Sequence, residues 1–548
     1  MTAPLPITRR ELALVALASV VLALAMHWPL PLHVGSDVPR DLGDPLAQAW
    51  QVAWDGHALA HQPLDWFQAN IFWPLRDSLA FSDALVGYAP AGAVGSGPHA
   101  AIVRYDLLFL FAYALAFLGA WLLARELGAG RGGALVAGAA FAYAPWRLEQ
   151  DGHLHVLSSG AIPLALALLV RGYRRGAPWT VLAGWAVAAW QVSLGFSLGI
   201  PFGYLLAALA LGAAGWALRR RLVPPRPVLL ATGAGALVLA VTTLVLARPY
   251  LAVRDDHPEA ARSAHDVQVF SGPLAQYLAA PGANSVWGPV TRGARERLSF
   301  VPEQTLFPGA VVVVLALACL ALGGYPRRLG IGLALAVLLL AWLALGFHDD
   351  GFLWPYRLLY EHGPGWESSR TPGRINTLTS LGLALLAAGG ASALAARVRR
   401  PRAAAAIGVG LVAVVLLEFA DLHGPAHPTV PAAPAALGGF AAPQLHLPMS
   451  RAGNRRYMLW STDGFPAMVN GRASFQPALT SEIAYRARRF PDRASVAYLR
   501  GLGVRTVVLH PALAAGTSWA GAVRRPVAGL RLRRERRGAL VVYVLAPG

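Results

Sequence analysis

The chain has 548 residues, 56% of them apolar and only 14% charged, with a mean hydropathy of +0.48, which is too greasy for a soluble globule. Its net charge of +19 rests on arginine alone, since no lysine occurs, and the arginines punctuate hydrophobic stretches, which favours membrane orientation over nucleic-acid binding. The one cysteine, Cys319 in an apolar run, excludes an intrachain disulfide framework and a cysteine-based metal site.

A membrane helix needs about 20 mostly apolar residues. The first such stretch covers 11–30 and follows Arg9 and Arg10, which places the N-terminus on the cytoplasmic side. "ALA" at 23–25 resembles a signal-peptide cleavage site, but the apolar run continues straight past it. Next comes "HVGSDVPRDLGDPLAQAW", residues 33–50, with Asp37, Asp41 and Asp44 inside eight positions. Gly35, Pro39, Gly43 and Pro45 argue for a loop there. The following "LAQAWQVAWDGHAL" has apolar residues at helical spacing, so Asp44 also reads as an N-cap with Pro45 at the first helical position. A cap leaves Asp37 and Asp41 unexplained. Trp50 and Trp54, one turn apart, suit a helix lying in the membrane interface better than a sugar-stacking platform.

Ten more stretches follow, at about 102–124, 132–147, 156–170, 178–197, 200–218, 227–247, 306–323, 329–347, 375–396 and 403–420. With these eleven spans, the short connectors bearing Arg125 and Arg131, Arg171 to Arg175, Arg219 to Arg226, Arg327 and Arg328, and Arg397 to Arg402 all fall on one side. The longer loops 31–101, 148–155, 248–305 and 348–374, and everything from 421 onward, fall on the other. The expected fold is therefore a polytopic α-helical membrane protein of the cell membrane with its working face outside the cytoplasm. Segment 84–96 reads as a re-entrant or interfacial helix capped by Asp83, because a full span there would invert the arginine pattern. Asp349 and Asp350 read as a solvated loop. Loop 148–155, "EQDGHLH" at its centre, offers Glu149, Asp151, His153 and His155, which can shape a polar cavity or direct two imidazoles to a divalent metal. Glu418 stands out as an acidic residue inside a span.

Residues 421–435 form a Pro/Ala-rich linker, after which the pattern changes. "QLHLPM" and "VRTVVLHP" read as strands, "FPDRASVAYLRGLG" as a helix capped by Asp492, and "LRLRRERRGALVVYVL" as a hairpin. Residues 436–548 are thus expected to form a small α/β domain outside the membrane, whose arginines can rest on its surface; about 110 residues suffice for one modest core. "GLGVR" follows a helix instead of opening one, so no nucleotide cofactor is expected.

The stretches "GDPLAQAWQVAWDGHAL", "FQANIFWPLRDSLAFSDALVG", "GAAFAYAPWRLEQDGHLHVLS" and "SSRTPGRI", with "VNGRASFQP" and "LGVRTVVLHP" in the tail, resemble a bacterial group of GT-C glycosyltransferases. That superfamily includes protein O-mannosyltransferases, the aminoarabinose transferase of lipid A and oligosaccharyltransferases, and the likeness covers residues 1–420 as the membrane domain plus the outer C-terminal domain. It implies a sugar donor on a polyprenyl phosphate and an extracytoplasmic lipid, glycan or protein acceptor. In that superfamily an aspartate of the first outer loop serves as base or helps bind a metal, a role that carries over to Asp44 first and Asp41 second. A lipid phosphate leaves as an anion and needs cationic stabilisation, for which Arg forks are suited; Arg374 and Arg370 in "ESSRTPGRI" and Arg104 at the outer end of the second span are the candidates. Anchoring helix ends at the headgroups is the plainer role for the same arginines. The rival function is a non-catalytic flippase or an envelope-assembly partner, which should show interrupted paired spans and ionisable residues near midmembrane. Reporter fusions after residues 222 and 430 are expected to report opposite compartments; the same compartment for both would overturn the arginine-based topology.

Overall fold

The computed structural model describes residues 6–348 and 354–546, so Asp349 and Asp350 lie outside the described residues. Each of the eleven apolar stretches carries a helix: Arg9–Met26, Gly97–Leu127, Arg131–Ala142, Ala161–Arg175, Pro178–Ser193, Phe196–Arg220, Arg226–Asp256, Ala310–Leu322, Arg327–Ala344, Asn376–Ala396 and Pro401–Phe419. By length and composition, seven helices among the described residues can cross a membrane, and Ala310–Leu322 is apolar but shorter. Leu230, Leu237 and Leu244 leave an exposed apolar stripe along Arg226–Asp256, as a helix facing lipid tails requires. The chain is a multi-pass helical membrane protein with a small C-terminal sheet.

Contacts divide it into two compact units, one of Met1–Leu32, Leu108–Leu246 and Arg262–Pro425, the other of His33–Leu107, Ala247–Ala261 and Ala426–Gly548. In the first unit, helix ends are tied by charge. Buried Glu126 takes Arg171 at 2.7 Å and Arg174 at 3.6 Å, and Glu11 takes Arg125 at 3.2 Å and Arg131 at 3.3 Å. Glu418 accepts from the backbone N–H of Ala310 at 2.6 Å and Val311 at 3.1 Å, and from the Trp287 indole at 2.9 Å. An acidic side chain on the unpaired N–H groups of a helix start stabilises that end. Glu418 therefore closes a helix terminus.

The second unit joins the acidic loop and its following helix to the C-terminal segment. Strands β1 (Gln444–Leu447), β2 (Thr506–Leu509), β3 (Leu532–Arg537) and β4 (Leu540–Leu545) form one sheet in the order β1-β2-β4-β3, parallel between β1 and β2 and antiparallel elsewhere. Asp492 caps helix Arg493–Gly501 through a reciprocal bond with Ser495, and Leu445, Leu499, Val507 and Tyr543 fill the core beneath. A second core contains Trp50 and Trp54 together with Phe72, Phe81, Tyr457, Trp460 and Phe475. The two indoles stack with centroids 6.4 Å apart and donate to Asn70 Oδ1 at 3.1 Å and the Trp66 carbonyl at 2.9 Å. They are buried, with their polar atoms met by protein, so the interfacial placement expected for them is corrected to a core one. Segment 84–96 holds only a 3-10 turn, Val86–Tyr88, and a short helix, Ala89–Gly92, with Leu85 and Tyr88 at the capping positions. Asp83 instead offers its carbonyl to Gln51 at 2.6 Å.

Candidate functional site

In the second unit, the acidic loop is held by chain segments distant in sequence. Val38 N–H donates to the Pro428 carbonyl at 3.1 Å and Arg40 N–H to that of Ala426 at 2.8 Å, so residues within the linker run beside the loop. Asp41 Oδ1 accepts from its own turn, at Gly43 N–H, 2.6 Å away, a local bond that favours a turn over a helix. Asp44 is the first residue of helix Asp44–His61, Gly43 takes the cap position, and no side chain caps the helix. The Asp44 carboxylate accepts from Arg455 Nη2 at 2.6 Å, with the Asp44 side chain 42% exposed. The cap expected of Asp44 is thus an ion pair with a residue of helix Arg451–Trp460.

Two acidic residues that the sequence reading missed lie in the same unit. Asp106 is fully buried, accepts from Gly35 N–H at 2.9 Å, and lies within reach of the Asp37 charge. Its signal was available as a carboxylate inside the apolar stretch 102–124. Asp55 is also fully buried and accepts from the Trp66 indole at 2.8 Å. Burial raises its carboxyl to about 7 against the opposing pull of that bond. Arg104 is buried and donates to the carbonyls of Val94 and Gly95, the latter at 2.8 Å, which closes the turn before helix Gly97–Leu127.

In the first unit, "PWRLEQDGHLHVLSS" folds into two short helices, Pro145–Glu149 and Leu154–Leu157. Arg147 is fully buried and organises them, donating to the Ala142 carbonyl at 3.0 Å, to that of Leu157 at 2.9 Å, and to Ser159 Oγ. Asp151 accepts from the Tyr113 hydroxyl and lies 3.8 Å from His27 Nδ1. His153 Nδ1 meets Gln150 Oε1 at 2.8 Å, and Gln150 donates to the Pro302 carbonyl at 2.8 Å. His155 Nε2 meets Arg374 Nη1 at 3.1 Å, and Arg374 Nη2 donates to Glu303 Oε1 at 2.9 Å. The structure therefore brings His155 and Arg374 together and adds Glu303, the third residue missed from the sequence.

Glu149, Asp151, His153 and His155 do not converge as a cage. Glu149 is buried at the end of its short helix, and the two imidazole rings meet edge-on at 5.8 Å with nitrogens turned to Gln150 and Arg374. Among the described residues no group of three or more His, Cys, Asp or Glu side chains is placed to hold a metal ion. Arg370 stands over the Phe270 ring at 5.2 Å. Burial, and secondly the Arg370 charge, lower the nearby Arg262 guanidinium to about 10.

No protein-family model matches the sequence, and no curated protein matches it. Solved structures do. The arabinofuranosyltransferase AftD from Mycobacteria aligns with 100% of this chain at 17% identity and a TM-score of 0.55. The archaeal oligosaccharyltransferase AglB from Archaeoglobus fulgidus, in complex with an inhibitory peptide and a dolichol-phosphate, aligns with 98% of this chain and 74% of its own at 14% identity and a TM-score of 0.44. ArnT from Cupriavidus metallidurans aligns with 98% of both chains at 16% identity and a TM-score of 0.37. These neighbours are GT-C glycosyltransferases, and the fold of the chain is of that kind. The chain spans 42% of the length of AftD.

Asp55 makes a pH-dependent prediction. Its folded pKa is about 7 and its ordinary value 3.8, so between those values the unfolded chain is ionised while the folded chain keeps the proton. Stability from this group is full below about pH 4 and falls as pH rises to about 7. Asp55→Asn removes that loss. It is expected to melt above wild type at pH 8, by an advantage on the order of a few kcal/mol that shrinks toward pH 4. An advantage independent of pH in thermal unfolding would refute the assignment.

Proposed function

We propose that the chain is a membrane glycosyltransferase that moves a sugar from a polyprenyl-phosphate-linked donor to an extracytoplasmic acceptor, with its N-terminus in the cytoplasm and the C-terminal segment outside. The observation that carries this reading is the Asp44 carboxylate, which stands at the start of the first outer-loop helix of a GT-C-type fold and is 42% exposed. An acceptor hydroxyl has a high pKa and needs a carboxylate within hydrogen-bond reach to take its proton as it attacks. Asp44 is the first residue for that role and Asp41 the second. The departing lipid phosphate needs no strong acid but does need cationic hydrogen-bond donors. Arg374 fills that role, with Arg370 in support; Arg104, committed to two carbonyls, stands behind them. The capping role of Glu418 takes away the residue that spoke for a transporter.

Asp44→Asn separates catalysis from scaffolding. A partly exposed ion pair such as Asp44–Arg455 stabilises by roughly 0–1 kcal/mol, whereas losing a general base costs about 100- to 10,000-fold in rate. Purified Asp44→Asn should therefore melt near wild type and lose at least about 100-fold in sugar transfer. Arg455→Ala should share the small stability change without the full loss of rate. Near-normal transfer by Asp44→Asn would move the search to Asp41. At the donor, Arg374→Lys keeps the charge but loses the planar fork, so weaker binding of polyprenyl phosphate is expected; unchanged binding in Arg374→Ala would remove Arg374 from the site.

A further inference from the structure

Glu303 is 4% exposed, and its two carboxylate oxygens differ. Oε1 accepts from Arg374 at 2.9 Å. Oε2 is buried and has no hydrogen-bond partner among the described residues. A buried carboxylate oxygen left unmet is costly, because an ionised acceptor gives up strong hydration. The backbone that carries the residue is closely held. Its carbonyl lies 2.2 Å from where a Cβ on Gly373 would stand, so only glycine lets the turn before Arg374 lie on Glu303. On either side, the Pro302 carbonyl is held by Gln150 at 2.8 Å, and Gln304 donates to the Ser271 carbonyl at 2.8 Å. These contacts fix the backbone from which the carboxylate reaches Arg374.

We propose that Glu303 reads the donor's sugar, its Oε2 accepting a hydrogen bond from a sugar hydroxyl while Oε1 holds Arg374 for the phosphate. This inference rests on the lipid-linked donor reading above and adds the residue that distinguishes a sugar-bearing lipid phosphate from a bare one. A metal cation is a poorer occupant of the same oxygen. The Arg374 guanidinium already neutralises the carboxylate and repels a second positive charge, and His155 Nε2 is engaged with Arg374. A neutral hydroxyl suffers no such repulsion. The plainer alternative makes Glu303 a counter-ion for Arg374 and nothing more, with a water on Oε2. The alternatives predict different selectivity.

The test uses the full chain in nanodiscs. Binding of bare polyprenyl phosphate is compared with binding of polyprenyl phosphates carrying mannose, glucose or arabinofuranose. Wild type should prefer at least one sugar-bearing lipid over the bare one. Glu303→Gln should reduce that preference by about tenfold or more, since a site built to bond a hydroxyl discriminates strongly, while bare polyprenyl phosphate binds at least as well because Arg374 loses a competing anion. Glu303→Asp guards against misfolding: it keeps the charge for Arg374 but withdraws the carboxylate by one methylene, so it should melt near wild type and still lose the preference. A preference unchanged in both variants, or none in wild type that binds the lipids, overturns the role of Glu303 alone. Wild type that binds none of the lipids overturns this role and the donor reading together.

Discussion

A charge removed from water must be answered inside the protein, and in a chain so poor in charged residues that requirement arranges much of the structure. Arg147 is fully buried and bonded to two carbonyls and a hydroxyl. Glu418 is met by two helix N–H groups and an indole. Arg104 closes a turn through two carbonyls. Each is engaged by groups of the fold itself, and each fixes a helix end or a bend. Such residues hold the scaffold.

A second set of buried charges is only partly answered. Glu303 Oε2, Asp106 Oδ1 and Asp55 Oδ2 are buried without a hydrogen-bond partner among the described residues. Glu303 binds Arg374, Asp106 holds the backbone of the acidic loop at Gly35, and Asp55 lies on the helix that Asp44 begins. Proteins retain incompletely satisfied polar groups mainly where strain, chemistry or a ligand accounts for them.

Much of the scaffold was legible in the sequence because its signals are local. Runs of about 20 apolar residues announce helices, Asp492 announces its own helix start, and "LRLRRERRGALVVYVL" carries both strands of its hairpin. The site was less legible because its partners are far apart in the chain. Asp44 meets a residue 411 positions away, and Arg374 meets Glu303 across 71; no local pattern encodes either pair. Trp50 and Trp54 show a related limit. Their one-turn spacing marks an apolar helix face but not what covers it, and only the folded chain supplies Tyr457 and Trp460 in the same core.

A GT-C-type fold defines an architecture, while a reaction must be argued from particular side chains. In the proposed site a lipid phosphate would be held by Arg374, whose partners, His155 and Glu303, come from two other segments of the chain. The most direct test is an electron cryomicroscopy structure of the full chain in a nanodisc with a non-transferable phosphonate analogue of a polyprenyl-phosphate sugar. The account predicts the phosphonate within hydrogen-bond distance of the Arg374 guanidinium. A headgroup bound elsewhere on the protein, with Arg374 still engaged by His155 and Glu303, would contradict it.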